Sequence, residues 1–200
     1  MKICHVTSAH DTDDVRIFEK ECTSLAKSSS NQVYLVGAGI SRNENNVHVI
    51  GVGEKPNSRF KRMFSFSKYV INKALEIDAE VYHLHDPELL LYVPLLSKKG
   101  KIVIFDSHEE YADQILSKEY LPKAIRKMVA WLYCKVENRA CRYLDGAIST
   151  CLINGRHPFE DRVKNVAIID NTPISSFFAE IKHDGPFDTV CCVGSLTHAR

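Results

Sequence analysis

Two rhythms of apolar and polar residues alternate along the chain. Short runs rich in β-branched and aliphatic residues, at 2–6, 32–36, 47–52, 80–84, 101–105, 145–149 and 166–169, read as strands. Between them, apolar residues recur at helical spacing and predict helices over about 14–28, about 58–77, from Pro87 onward, and over about 121–143. Asp13 or Asp14 can cap the first helix, along which Val15, Phe18, Cys22 and Leu25 form a stripe, and the polar run 28–31 ends it. Pro122 sits where a first-turn proline belongs, and Ile125, Val129, Leu132, Val136, Ala140 and Tyr143 are expected to face the core behind it. Strands alternating with helices call for an α/β fold, a Rossmann-like parallel sheet with helices on both faces.

The texture changes after 171–173. A short segment with Phe177 and Phe178 leads to a polar linker at 182–186, then an isolated apolar run, 189–193, and the turn Gly194-Ser195-Leu196. A strand and glycine turn usually open a new α/β unit, so residues 1–181 are expected to form one domain. Residues 182–200 then supply a linker and the first strand of a truncated second domain.

Charge narrows the partners. Lys and Arg (26) nearly balance Asp and Glu (25), so no global field recruits nucleic acid. No apolar stretch reaches membrane-spanning length and no basic leader precedes the first strand, which predicts a cytoplasmic protein. The seven cysteines are scattered without Cys-x-x-Cys spacing and read as mostly buried thiols, Cys134 and Cys141 sharing one helix face. Residues 55–73 carry Lys55, Arg59, Lys61, Arg62, Lys68 and Lys73 without an acid, interleaved with Phe60, Phe64, Phe66 and Tyr69. Two readings stay open: aromatics in the core with lysines in water, or a peripheral contact with anionic membrane at the inner face.

The chemistry concentrates in two motifs just past predicted strands, His83-Leu84-His85-Asp86-Pro87-Glu88 and Phe105-Asp106-Ser107-His108-Glu109-Glu110. In a parallel sheet the carboxyl ends of strands form the ligand crevice, so both should converge on one site. His83 and His85 alternate on a strand and face one side, as metal ligands do. A metal site would have to recruit Asp86, His108 or Glu109, yet Pro87 turns the chain at once and no third histidine lies close in sequence; no metal is expected. A dinucleotide fingerprint is absent: residues 7–14 read Thr-Ser-Ala-His-Asp-Thr-Asp-Asp, and Gly37-Ala38-Gly39 leads into a polar loop, so no cofactor is expected either. Residues 7–14 are read as a loop at a strand end, whose hydroxyls and amides are placed either to approach an anion or simply to cap the helix behind them.

Asp14-Val15-Arg16-Ile17-Phe18-Glu19-Lys20-Glu21 with Ser24-Leu25, Val33-Tyr34-Leu35-Val36, Val81-Tyr82-His83-Leu84-His85-Asp86-Pro87-Glu88-Leu89-Leu90 and Phe105-Asp106-Ser107-His108-Glu109 together resemble the amino-terminal domain of family 4 glycosyltransferases of the GT-B fold. Val193-Gly194-Ser195-Leu196-Thr197 is similar to the opening of that family's second domain. The resemblance implies a retaining glycosyltransferase, usually metal-free, whose first domain binds a glycan or lipid-linked acceptor. Its second domain holds a nucleotide-sugar donor, and the pathway is cell-surface polysaccharide or glycoconjugate synthesis. It implies a catalytic role for His108 and acceptor or donor contacts from Ser8, His10, Asp11, Asp14, Arg16, His85, Asp86, Glu88 and Glu109. The paired glycines that many members carry after the first strand are missing here. A catalytically silent binding module, or a nucleotide-sugar epimerase of similar fold, are the alternatives, and the 200-residue chain alone is expected to be inactive.

Overall fold

The computed structural model describes residues 1–108, 110–118 and 122–173. Glu109, Phe177 and Phe178, the 182–186 linker and the 189–193 strand lie outside the described residues. Within them, eight strands form one sheet: β1 (Lys2–Asp11), β2 (Gln32–Ala38), β3 (Arg42–Glu44), β4 (Val47–Gly51), β5 (Val81–Leu84), β6 (Ile102–Ser107), β7 (Gly146–Ser149) and β8 (Val166–Ile168). The spatial order is β3-β4-β2-β1-β5-β6-β7-β8, and every pairing is parallel except β3 with β4. The chain moves outward from β1 to β2 on one side and returns to place β5 on the other. The switch point, where such sheets open a ligand crevice, therefore lies between β1 and β5.

Period-two alternation sorts the side chains of the central strands. Cys4 and Val6, with Tyr82, Leu84, Val103 and Phe105, pack into a dry layer under helix α2, which runs through Arg59–Lys61, Arg62–Phe66 and Ser67–Ile77. Leu89, Leu90 and Leu96 of α3 (Pro87–Tyr92, then Val93–Lys98) belong to the same layer. On the opposite face, Val33, Leu35, Val47 and Val49 meet Ile17, Phe18 and Cys22 of α1, a π-helical segment Val15–Cys22 continued by Thr23–Ala26. Burying each such side chain contributes about 1.5–3 kcal/mol. On that second face β1 and β5 present His5, Thr7, His83 and His85 instead of hydrocarbon.

The structure corrects several expectations. Residues 7–11 are strand, not loop: β1 continues to Asp11, with a register shift between Val6 and Asp11, and turns only at Asp11 to Asp14. Gly37 permits that close course, since a Cβ there would meet Thr7 Cγ2 at 2.7 Å. Val15 is exposed while Ile17 is buried, because π winding carries each residue through a smaller rotation than the α-helical stripe assumes. The stripe on α5 (Lys123–Cys141) does not form a core layer along its length: Ile125 and Leu132 are 42% and 56% exposed, and burial is reached toward Ala140 and Cys141. The amino-terminal half of α5 packs against α4 (Tyr111–Leu116), absent from the sequence reading, through Tyr111 and Tyr133 rather than on the sheet. β3 was also unexpected; Asn45 and Asn46, at φ 51° and 61°, make the two-residue turn that folds it back on β4. Cys4, Cys22 and Cys141 are buried thiols as expected, whereas Cys151 is exposed.

Candidate functional site

At the switch point the end of β5 grips the end of β1. Asp86 Oδ2 accepts hydrogen bonds from the Thr7 hydroxyl (2.8 Å) and from the backbone N–H groups of Ser8 (2.6 Å) and Ala9 (3.0 Å). Its other oxygen lies 3.6 Å from His10 Nε2. The Ser8 hydroxyl donates to Glu88 Oε1 (3.1 Å), and Arg62 reaches the same oxygen at 3.6 Å. Burial, reinforced by the Asp86 charge, pushes the Glu88 carboxyl up. Asp14 caps α1 by accepting from the Arg16 and Ile17 N–H groups and also bonds His10 Nδ1 at 3.1 Å. That bond to Asp14 raises the His10 ring above its ordinary value and holds the Asp14 carboxyl well below the usual range.

Deeper in, a buried polar layer lies beneath α1. Arg16 Nη2 donates to both Asp106 oxygens (3.0 and 2.9 Å), and its Nε stands 3.1 Å from Glu21 Oε1. Burial would raise the Asp106 carboxyl, but the bonds from His108 and His85 outweigh it and hold it down. Glu21 takes the opposite course, raised to about 9 by burial and by the Asp106 charge. His5 Nδ1 and His85 Nε2 share a 3.0 Å hydrogen bond, and His83 stacks on His85 with ring centroids 4.6 Å apart. Burial first, then repulsion from neighbouring rings, lowers His5 and His83, the latter to about 3, while burial lowers His85 against the opposing pull of Asp106.

His108 stands where this layer reaches the surface. Its Nε2 is 3.4 Å from His85 Nδ1 and 3.4 Å from Asp106 Oδ2, and its ring lies 5.5 Å from that of His10. Its carbonyl accepts from the Thr150 hydroxyl at 3.3 Å. Beside it a cleft of about 400 Å³ opens past the ends of β6 and β7, lined by Ser107, Tyr111, Tyr133, Thr150, Arg156 and Arg162 among others.

The fold thus brings Ser8, His10, Asp14, Arg16, His85, Asp86, Glu88 and His108 into one constellation. They do not share one role in it. Ser8, Arg16, His85, Asp86 and Glu88 are buried and committed to partners, so they shape the site rather than line it. Asp11 lies apart, exposed and paired with Lys55 at 3.0 Å. Glu109 lies outside the described residues. Sequence reasoning missed His5, Glu21 and Asp106 as site residues. A histidine and an arginine-acid pair inside otherwise apolar strand and helix patterns were the available signals. Among the described residues, two groups bring metal-ligating atoms within 4.8 Å of one another, His5-Glu21-His83-His85 and His85-Asp106-His108.

No family model matches the chain, and no curated protein matches it in sequence. Among solved structures it is similar in fold to sucrose-phosphate synthase from Thermosynechococcus elongatus, with a TM-score of 0.55 and 11% identity over 85% of this chain. The chain spans 48% of that protein's length. The likeness supports a Rossmann-like α/β fold of the kind found in that enzyme.

Proposed function

We propose that the chain is the acceptor-side domain of a retaining glycosyltransferase that takes a nucleotide-sugar donor and a glycan or lipid-linked acceptor, in cell-surface polysaccharide or glycoconjugate synthesis. Residues 182–200 would lead into the donor-binding domain. The observation that carries this reading is His108, set at the carboxyl end of a central strand against buried Asp106 and His85, its carbonyl bonded to Thr150 of the neighbouring cleft. A histidine held by a carboxylate on its inner side can orient an acceptor hydroxyl or move its proton on the outer side. Tyr111 and Tyr133 beside Thr150, Arg156 and Arg162 in the cleft wall suit an acceptor that carries both hydroxyls and an apolar ring face. Most of the rate then comes from holding two substrates in register and balancing the leaving diphosphate, tasks shared with the second domain. The resemblance to family 4 glycosyltransferases and the likeness of fold to a sucrose-phosphate synthase support the reading.

The test is sugar transfer by the longest natural form of the protein, with products analysed with and without acceptor. His108→Ala should lower turnover by on the order of a hundredfold or more while the fold, followed by circular dichroism, is retained. Normal turnover in that variant would remove the catalytic assignment. Sugar conversion without acceptor would indicate an epimerase, and binding without turnover a silent module.

Peripheral membrane contact through 55–73 belongs to the same proposal. Phe60 and Phe64 meet at a tilt on the surface, ring centroids 4.7 Å apart, 73% and 48% exposed, on a helix that also carries Lys61 and Lys68, while Phe66 alone of the three phenylalanines turns into the core. An exposed aromatic pair among lysines suits an anionic lipid surface carrying a lipid-linked acceptor. Among the described residues no helix is long and apolar enough to cross a membrane.

A further inference from the structure

We propose that His5, His83, His85 and Glu21 form a binding site for a single divalent transition-metal ion of the zinc class, independent of the glycosyl-transfer reading. The four ligand atoms come from three elements that the sequence keeps far apart: β1, the end of β5 and the π-helical turn of α1. His5 and His83 are register partners on adjacent parallel strands, and His85 follows two residues on, so all three rings stand on one face of the sheet. Glu21 descends on them from above. Its Oε2 lies 3.8 Å from His5 Nδ1, 3.9 Å from His83 Nε2 and 3.8 Å from His85 Nε2, and the His5 and His85 nitrogens are 3.0 Å apart.

A tetrahedral ion with arms of about 2.1 Å has ligand-to-ligand edges of roughly 3.4 Å. Each of the four measured separations falls within about half an ångström of that edge, a gap that small ring and carboxylate rotations close. The donor set, imidazole nitrogen with one carboxylate, selects zinc, cobalt or nickel over magnesium or calcium, which take oxygen.

Unmet bonding capacity points the same way. His83 Nε2 and the inner Glu21 oxygen, Oε2, are buried and lack a hydrogen-bond partner. Such groups are costly to bury and rare in native proteins, and an ion at their centre satisfies them together. The surroundings also supply what ligands need behind them: His85 Nδ1 faces Asp106 at 3.6 Å, so Nε2 can exchange its bond with His5 Nδ1 for the ion, and Arg16 stands 3.1 Å from the outer Glu21 oxygen. The neighbouring His85-Asp106-His108 group is less suited, since Arg16 already occupies both Asp106 oxygens. No metal is expected from sequence because no further histidine lies near His83 and His85 along the chain; the fold brings His5 and Glu21 to them across it.

The test uses the whole chain, stripped with a chelator and then titrated with Zn²⁺ against a chromophoric competitor and separately with Co²⁺. One ion per chain is expected, with the visible absorption of four-coordinate Co²⁺. His83→Gln and Glu21→Gln should each weaken Zn²⁺ binding by on the order of a hundredfold, with circular dichroism unchanged. Substituting the surface residue His48 should leave it unaltered. The proposal fails if the parent chain gives only the spectrum of hydrated Co²⁺, or if both variants hold Zn²⁺ as tightly as the parent. Should His83→Gln not fold, Glu21→Gln and the parent Co²⁺ spectrum decide between these results.

Discussion

Removing the Asp86 carboxylate should loosen the junction of β1 and β5 more than any surface change nearby. In Asp86→Ala the Ser8 and Ala9 N–H groups and the Thr7 hydroxyl all lose their acceptor. An orphaned buried donor costs about 1–3 kcal/mol. The Ser8 site is buried and bears the full cost; Ala9 is half-buried and recovers part of it from water; the Thr7 hydroxyl can turn away. The sum is roughly 2–5 kcal/mol, a large share of the about 5–15 kcal/mol that holds a typical domain together. Asp86→Asn keeps an oxygen facing the donors but loses the charge that about doubles such bonds, so it should cost about 1–2 kcal/mol. Urea unfolding followed by circular dichroism reads both numbers from the midpoint shift at constant slope. An alanine variant within about 1 kcal/mol of the parent, or an asparagine variant as unstable as the alanine one, would refute the bracing role.

His10 provides a pH signature. It faces Asp14 and Asp86, with Lys55 and His108 nearby, and its folded value is raised, so its contribution is complete below the ordinary 6.5 and lost as pH rises through the folded value. The melting-temperature gap between parent and His10→Asn should therefore narrow from acid to alkaline pH across that window; parallel curves would contradict it. For the membrane surface, Phe60→Ser with Phe64→Ser, or Lys61→Glu with Lys68→Glu, should abolish co-sedimentation with anionic vesicles at low salt and leave the melting temperature nearly unchanged. A parent chain that ignores such vesicles would remove that contact.

Much of the architecture is legible from local pattern, because a parallel sheet buried on both faces writes its strands as continuous apolar runs. The Asp14 cap and the convergence of the two histidine motifs are visible for the same local reasons. What stayed hidden depends on distance along the chain. β1 extends to Asp11 only because Asp86, far away in sequence, holds its backbone donors. Val15 and Ile17 exchange places because the helix is wound more widely than the periodicity assumes. Ile125 and Leu132 look like core residues, yet the sheet does not reach beneath them. His5 and Glu21 carry no local mark of belonging with His83, since their meeting is made by strand register and helix docking.

The wide winding of Val15–Cys22 sets a rotational phase on which the buried ion pairs depend. In an ordinary α-helix, at 3.6 residues per turn, side chains five apart diverge by about 140° around the axis. In a π-helix the smaller rotation per residue brings the i and i+5 positions nearer to one side, which is how Arg16 and Glu21 come within 3.1 Å and look down on the same histidines. The segment behaves as a helix carrying one extra residue. Deleting a single residue between 17 and 20 would restore the tighter coil and keep Asp14 as its cap. Arg16 would still face Asp106, and the acid, now four residues on, would stay on the same helix face about 40° away. An insertion of one residue there, unremarkable on a surface helix, would instead carry the acid about 120° round the axis and dismantle the buried layer without changing any of its side chains.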